Sequence, residues 1–216
     1  MSNLANQDPH AYYVAYLEAL WNYFSVTAMK TRTLSAYSDH LTEDSSVIES
    51  FPIAPILQES LQVDCVLTIT KLTEENRSEK NIPKFLNFTE SNWEKIRWSE
   101  RSGRGKLTPK KVKEQREGLE KISDILLGFM RQRDKYFAHY DNDYFFNPYK
   151  LFEDYPNINK DLYKVMGTIE GILREHQLYL NSSFKISPAI YSYDYVVHHL
   201  ELMKKAQEEW DKQKVK

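Results

Sequence analysis

The stretch RQRDKYFAHYDNDYFFNP, Arg131 to Pro148, decides how the chain is read, because an apolar helix face runs into it and turns polar there. Leu119, Ile122, Leu126 and Phe129 recur at spacings of three and four, which marks one face of a helix. The same spacing continues onto Arg133, Tyr136 and Tyr140. An arginine therefore stands where a core-facing stripe calls for an apolar side chain. A buried guanidinium needs a carboxylate, several carbonyls or a bound anion to offset its desolvation. Asp134 follows at once, and His139 comes five residues after that. Arg, Asp and His gathered at one helix end suggest a site. They also fit a plain alternative: a helix-end ion pair, with a histidine whose cationic form suits the C-terminal end of the helix dipole.

Upstream, Thr108-Pro109 is a helix start, with Thr as N-cap and Pro in the first turn. The spacing predicts one helix from Pro109 to about Tyr140, roughly 48 Å long at 1.5 Å per residue. On a regular helix His139 would lie about 120° round from Arg133, so the two do not share a face. They converge only if the helix end distorts, or if a second copy of the chain completes the site across a two-fold axis.

The rest of the chain reads as helices joined by loops. Asp8 and Pro9 start a first helix, rich in aromatics, that reaches the Thr31 region. It is apolar nearly all round, as a central or interface helix would be. Pro55 starts a second helix through Leu61, Val66 and Ile69. Leu72 to Pro83 is polar and ends in proline, and reads as a loop; a short helix bearing Trp93, Ile96 and Trp98 follows. Residues 101–108 and 141–159 read as loops flanking the motif helix, the second because of Asn147-Pro148 and Tyr155-Pro156. Helices over about Lys160 to Leu180 and Tyr193 to Lys212 complete an all-α bundle of about five or six helices, a single domain over residues 1–216.

Composition bounds the function. The chain has 216 residues, 41% hydrophobic and 28% charged, with six glycines and a formal net charge of −2. Few glycines favour long helices over a strand-and-turn fold. The near-neutral charge leaves any nucleic-acid contact to a local basic patch. Such a run exists from Arg101 to Lys113, including Arg104 and Lys106, although a solvated loop is the commoner meaning of such runs. A single cysteine, Cys65, excludes an internal disulfide and suits a reducing compartment. With no signal-like amino terminus and no apolar run near the ~20 residues that span a bilayer, a cytoplasmic protein is expected.

Other chemistry finds little support. No two of the six histidines share a zinc-like spacing with a cysteine or another histidine. Asp194, His198 and Glu201 could share a face of the last helix, but a solvated face is the commoner meaning. Cys65 lies in an apolar helix and reads as core. SGRGK lacks the spacing of a phosphate loop. No metal and no cofactor are expected.

Arg133-Asp134-Lys-Tyr-Phe-Ala-His139 resembles the R-x(4–6)-H motif of HEPN (higher eukaryotes and prokaryotes nucleotide-binding) domains, in which a polar residue often follows the arginine. The context KYFAHYD is similar to the abortive-infection branch. So is Leu61 to Phe88, an apolar helix bearing an Asp that leads into a polar loop. The resemblance covers much of Gln58 to Pro148. It implies a dimerising helical bundle that cuts RNA without a metal, in phage defence or as a toxin. Carried over, Arg133 would clamp the phosphate, His139 would move the proton and Asp134 would orient one of them. Tyr136, Tyr140, Lys135, Arg104 and Lys106 would contact the RNA. The expected partners are a second copy forming a composite active site, RNA, and a neutralising protein if one exists, with no membrane. Two alternatives stay open: a non-catalytic module that binds a protein or nucleotide, and a structural dimer in which Arg133 closes an ion pair.

Overall fold

A computed structural model describes residues 8–43, 53–75, 80–100, 103–137, 142–147, 149–154, 159–181 and 192–214. Among the described residues there is no strand, so the fold is all-α as expected. The helices are α1 (Pro9–Glu43), α2 (Ala54–Thr73), α3 (Ile82–Asn92), α4 (Pro109–Glu120), α5 (Ser123–Gln132), α6 (Asn142–Phe146), α7 (Tyr149–Asp154), α8 (Asn159–Asn181) and α9 (Ser192–Lys214). A π-helical turn, Arg133–Phe137, follows α5. No helix among the described residues is long and apolar enough to cross a membrane.

Several boundaries differ from the sequence expectation. The first helix runs past Thr31 to Glu43. The polar stretch from Leu72 to Pro83 is only partly a loop. Helix α2 continues to Thr73, and Pro83 opens α3 rather than ending a helix. The reason is Asn81, whose side chain accepts the Lys84 N–H as an N-cap, while a proline in the first turn has no N–H to lose. The indole-bearing segment after Thr89 is a turn at Trp93 to Lys95 rather than a helix of its own. The long helix begins at Thr108-Pro109 as expected but breaks at Lys121 and Ile122, where Ile122 leaves helical geometry (φ −113, ψ 13). Residues 103–108 form a loop. The segment 141–159 is not all loop, because α6 and α7 form on either side of Asn147.

Where a single core was expected, the packing falls into two compact units. Helix α1, about 52 Å at 1.5 Å per residue, contributes to both, as does α2.

The first unit, Met1–Phe24 with Val66–Ile186, holds the motif. Its centre is aromatic. The Tyr13 and Phe85 rings stack at 5.3 Å, and Tyr16 meets Phe85 edge-on at 5.3 Å. Phe85 also lies 4.7 Å from the ring of His176, which joins α1, α3 and α8. Fully burying each large apolar side chain contributes roughly 2–3 kcal/mol. His176 is itself fully buried and carries a hydrogen-bond chain. Gln115 Nε2 donates to Glu175 Oε2 at 2.7 Å, so its Oε1 faces His176 Nε2 at 2.9 Å. An amide oxygen can only accept, so Nε2 carries the proton. Nδ1 then accepts from the Tyr13 hydroxyl at 2.8 Å. Lys111, 3.2 Å from Glu175, closes the chain at the surface.

The second unit, Ser25–Cys65 with Ser187–Lys216, packs the later part of α1 against the start of α2. Lys30 pairs with Asp64, Gln58 Nε2 donates to Ser38 at 3.0 Å, and Thr31 lies 3.6 Å from Cys65. Cys65 is fully buried, and burial raises its thiol to about 11, so it is core as expected. On α9, Tyr193 donates to Asp39 at 2.9 Å, while Tyr195, Leu202 and Trp210 are exposed.

Burial pushes His176 down to about 3. Below its unfolded value of 6.5, the unfolded chain takes up a proton that the folded chain refuses. Stability should therefore fall as pH drops below about 6.5, by at most ~1.4 kcal/mol per pH unit from this residue. Urea unfolding between about pH 7 and 5 should show that slope in the parent and a shallower one in His176→Gln.

Candidate functional site

The site is built on the end of α5. Ile122, Leu126 and Phe129 are buried, as the stripe predicts. The next fully buried position is Gln132, not Arg133. Gln132 lies three residues past Phe129, an ordinary step on the same helical face, and the π-helical turn begins directly after it. Bonds from i to i+5 fit an extra residue into the turn, so the 3.6-residue spacing no longer says which side chain faces inward. The regular-helix angle between Arg133 and His139 lapses for the same reason. Such π turns are frequent at functional positions.

Arg133 is neither core nor free surface: its side chain is 19% exposed. Its Nη1 donates to Glu74 Oε2, and Nη2 faces Glu74 Oε1 at 3.4 Å, a fork on one carboxylate. Its Nε donates to Asp134 Oδ1 at 2.7 Å. The bond to Glu74, then that to Asp134, pushes the guanidinium pKa well above its ordinary value, so its charge is permanent. Glu74 is 34% exposed and Asp134 58%, which leaves the cluster open to water.

Glu74 is held from behind. It directly follows α2, and its N–H donates to Thr70 O at 2.8 Å. Its carbonyl accepts from Asn81 Nδ2. Asn81 is fully buried, and its Oδ1 caps α3 by accepting Lys84 N–H at 3.0 Å. The Tyr16 hydroxyl donates to Asn81 O at 2.9 Å and accepts Asn81 N–H at 2.9 Å. A line of hydrogen bonds thus runs from α1 through Asn81 and Glu74 to the motif arginine.

The structure brings Arg133 and Asp134 together and adds Glu74, Asn81 and Tyr16, which the sequence reading missed. Glu74 stood in what read as a solvated loop, 59 residues from Arg133, and no local pattern pairs them. The misplaced stripe did say that some carboxylate or anion had to answer the arginine. Lys135 is exposed beside the cluster. His139 and Tyr140, and the side chain of Tyr136, lie outside the described residues.

Arg104 stands elsewhere. Gly103 (φ +63) and Gly105 (φ +72) adopt the left-handed conformation that favours glycine and turn the loop around it. Arg104 lines a groove of about 400 Å³ with Gln115, Gly118, Gly171 and Glu175, and Arg133 is not among the groove's residues. Lys106 is exposed. Asp194, His198 and Glu201 are all exposed on α9, and no group of three or more His, Cys, Asp or Glu side chains among the described residues could hold a metal ion.

Residues 13–201 match the HEPN family described as AbiU2, a span that covers α1 to the first part of α9 and includes the whole motif. The chain belongs to the HEPN AbiU2 family. No curated protein and no solved structure matches it. The family name ties the chain to abortive infection. The matched span includes Arg133, the residue that Glu74 and Asp134 hold.

The cap at Asn81 should be measurable on its own. Asn81→Ala removes the acceptor for Lys84 N–H and the donor to Glu74 O, and should lower unfolding free energy by about 1–2 kcal/mol in denaturant titration. Asn81→Asp should recover much of the cap but not the donor to Glu74.

Proposed function

We propose that the protein is a metal-independent endoribonuclease of the HEPN type that acts as a cytoplasmic homodimer, in phage defence or as a toxin. The observation that carries this reading is the state of Arg133. Three of its five N–H groups are committed to Glu74 and Asp134, and its side chain keeps access to solvent. One hydrogen on each terminal nitrogen has no protein acceptor among the described residues. Each is a charge-assisted donor on its own flank of the guanidinium, and each suits a single non-bridging oxygen of a phosphodiester.

In this reading Arg133 holds the phosphate and stabilises the charge that builds up as the ribose 2′-oxygen attacks phosphorus. His139, assigned by the family motif, takes the 2′-hydroxyl proton or returns one to the departing 5′-oxygen; an unperturbed imidazole titrates near neutral pH and can do either. The P–O5′ bond breaks as the P–O2′ bond forms, and a 2′,3′-cyclic phosphate end results. Lys135 would meet the RNA backbone, and Tyr136 and Tyr140 would pack, or hydrogen-bond the phosphate or stack a base. A second copy would bring its own Arg and His to a shared cleft. A separate protein that covers the site would neutralise it.

One observation favours a different reading. Two carboxylates already answer the Arg133 charge, as a non-catalytic dimerising HEPN module that binds a protein or nucleotide would need for stability. Cleavage separates the two. The ribonuclease reading predicts that RNA is cut in EDTA with cyclic-phosphate ends, and that Arg133→Ala or His139→Ala lowers the rate by about 10²–10⁴ while the dimer persists in light scattering. Variants that cut like the parent, or a parent that cuts no RNA pool, would leave the binding module.

A further inference from the structure

We propose that Glu74 is a positioning residue of the candidate site: its carboxylate sets the direction of the Arg133 guanidinium, so that a remaining terminal N–H points at an RNA phosphate. This rests on the ribonuclease reading above and adds a residue outside the family motif.

An arginine side chain left to itself samples many rotamers, and ordering it costs conformational entropy. Here the ordering is done by the protein before any ligand arrives. The Glu74 fork fixes the terminal nitrogens, and Asp134 fixes Nε from the other edge. Asp134 alone is a poor anchor, because it is exposed, adjacent in sequence and part of the π-helical turn. Glu74 is the better anchor because its backbone is tied on both sides, to Thr70 and to buried Asn81, which Tyr16 locks in turn. The carboxylate therefore starts from a fixed backbone and meets the guanidinium from a set direction. What it leaves available is one N–H on each flank of the guanidinium, at a fixed angle. Preorganised donors avoid reorganisation at the moment of reaction, which is where such positioning lowers a barrier. Glu74 touches no reacting atom in this scheme and acts through Arg133.

The test uses the full chain with Glu74→Ala, Glu74→Gln and Glu74→Asp, beside Arg133→Ala. The first readout needs no activity: the Arg133 Nε–H signal in nitrogen-15 NMR. It should be sharp and slow to exchange with water in the parent and averaged in Glu74→Ala. An averaged signal in the parent, or one unchanged by Glu74→Ala, overturns the proposal whether or not RNA is cut. The second readout is single-turnover cleavage of an RNA pool. Glu74→Ala should lose about ten- to a hundred-fold in rate with RNA affinity nearly kept. Glu74→Asp, which keeps the charge one methylene back, should recover part of the loss. Glu74→Gln keeps the size, so it reports even if the Ala variant unfolds, and it should fall between the Ala variant and the parent. Faster cleavage or tighter RNA binding by Glu74→Gln overturns the proposal, since the carboxylate would then be competing with phosphate. Parent-like cleavage by Glu74→Ala beside a dead Arg133→Ala also overturns it. Parent-like cleavage by Arg133→Ala overturns the ribonuclease reading instead.

Discussion

A guanidinium at the end of an apolar helix face has to have its charge answered, and the rest of the site follows from how this is done. Desolvating a permanent cation costs several kcal/mol unless acceptors replace the lost water. Two carboxylates supply them, Glu74 from the end of α2 and Asp134 from the motif itself. The cluster is partly exposed, so water screens it and the attraction is weaker than in a sealed pair. That intermediate burial separates a site from a strut: a sealed pair would be spent entirely on stability, and a fully exposed one would hold no geometry.

The geometry comes from far away. Helix α1 brings Tyr16 to Asn81, Asn81 starts α3 and fastens Glu74, and Glu74 holds Arg133. The same helix places Tyr13 on His176, so the aromatic core and the polar line behind the arginine share one support. Both lie within the first compact unit. The span that matches the AbiU2 family contains the whole of this arrangement.

Much of this was legible in the sequence, and the misses have physical causes. Periodicity marks α8 because it buries one face over many turns, through Leu162, Val165, Ile169, Ile172 and Leu173. Thr108-Pro109 marks the start of α4 because a cap and a proline act together. The break at Lys121 and Ile122 carries no glycine or proline and leaves no local signal. Pro83 was ambiguous, because proline both ends and begins helices, and only the capping geometry of Asn81 decides between them. The spacing admits either the third or the fourth residue after Phe129 on the buried face, and the fold takes Gln132; the π-helical turn at Arg133–Phe137 is invisible to a 3.6-residue template. Glu74 could not be named, since a pair 59 residues apart is made by the fold and not by spacing. The chemical demand was nevertheless readable: an arginine on a greasy stripe announces an anion without saying whether protein or ligand provides it.

The central claim is that Arg133, already held by carboxylates, still has donors for an RNA phosphate. The most direct measurement is a titration of the Arg133 side-chain nitrogens by NMR with a 2′-deoxy oligonucleotide, which cannot cyclise. The account predicts that the terminal Nη signals shift and saturate while the Nε signal stays ordered, with an apparent affinity that weakens as salt rises. Terminal nitrogens that do not respond at saturating oligonucleotide would contradict it.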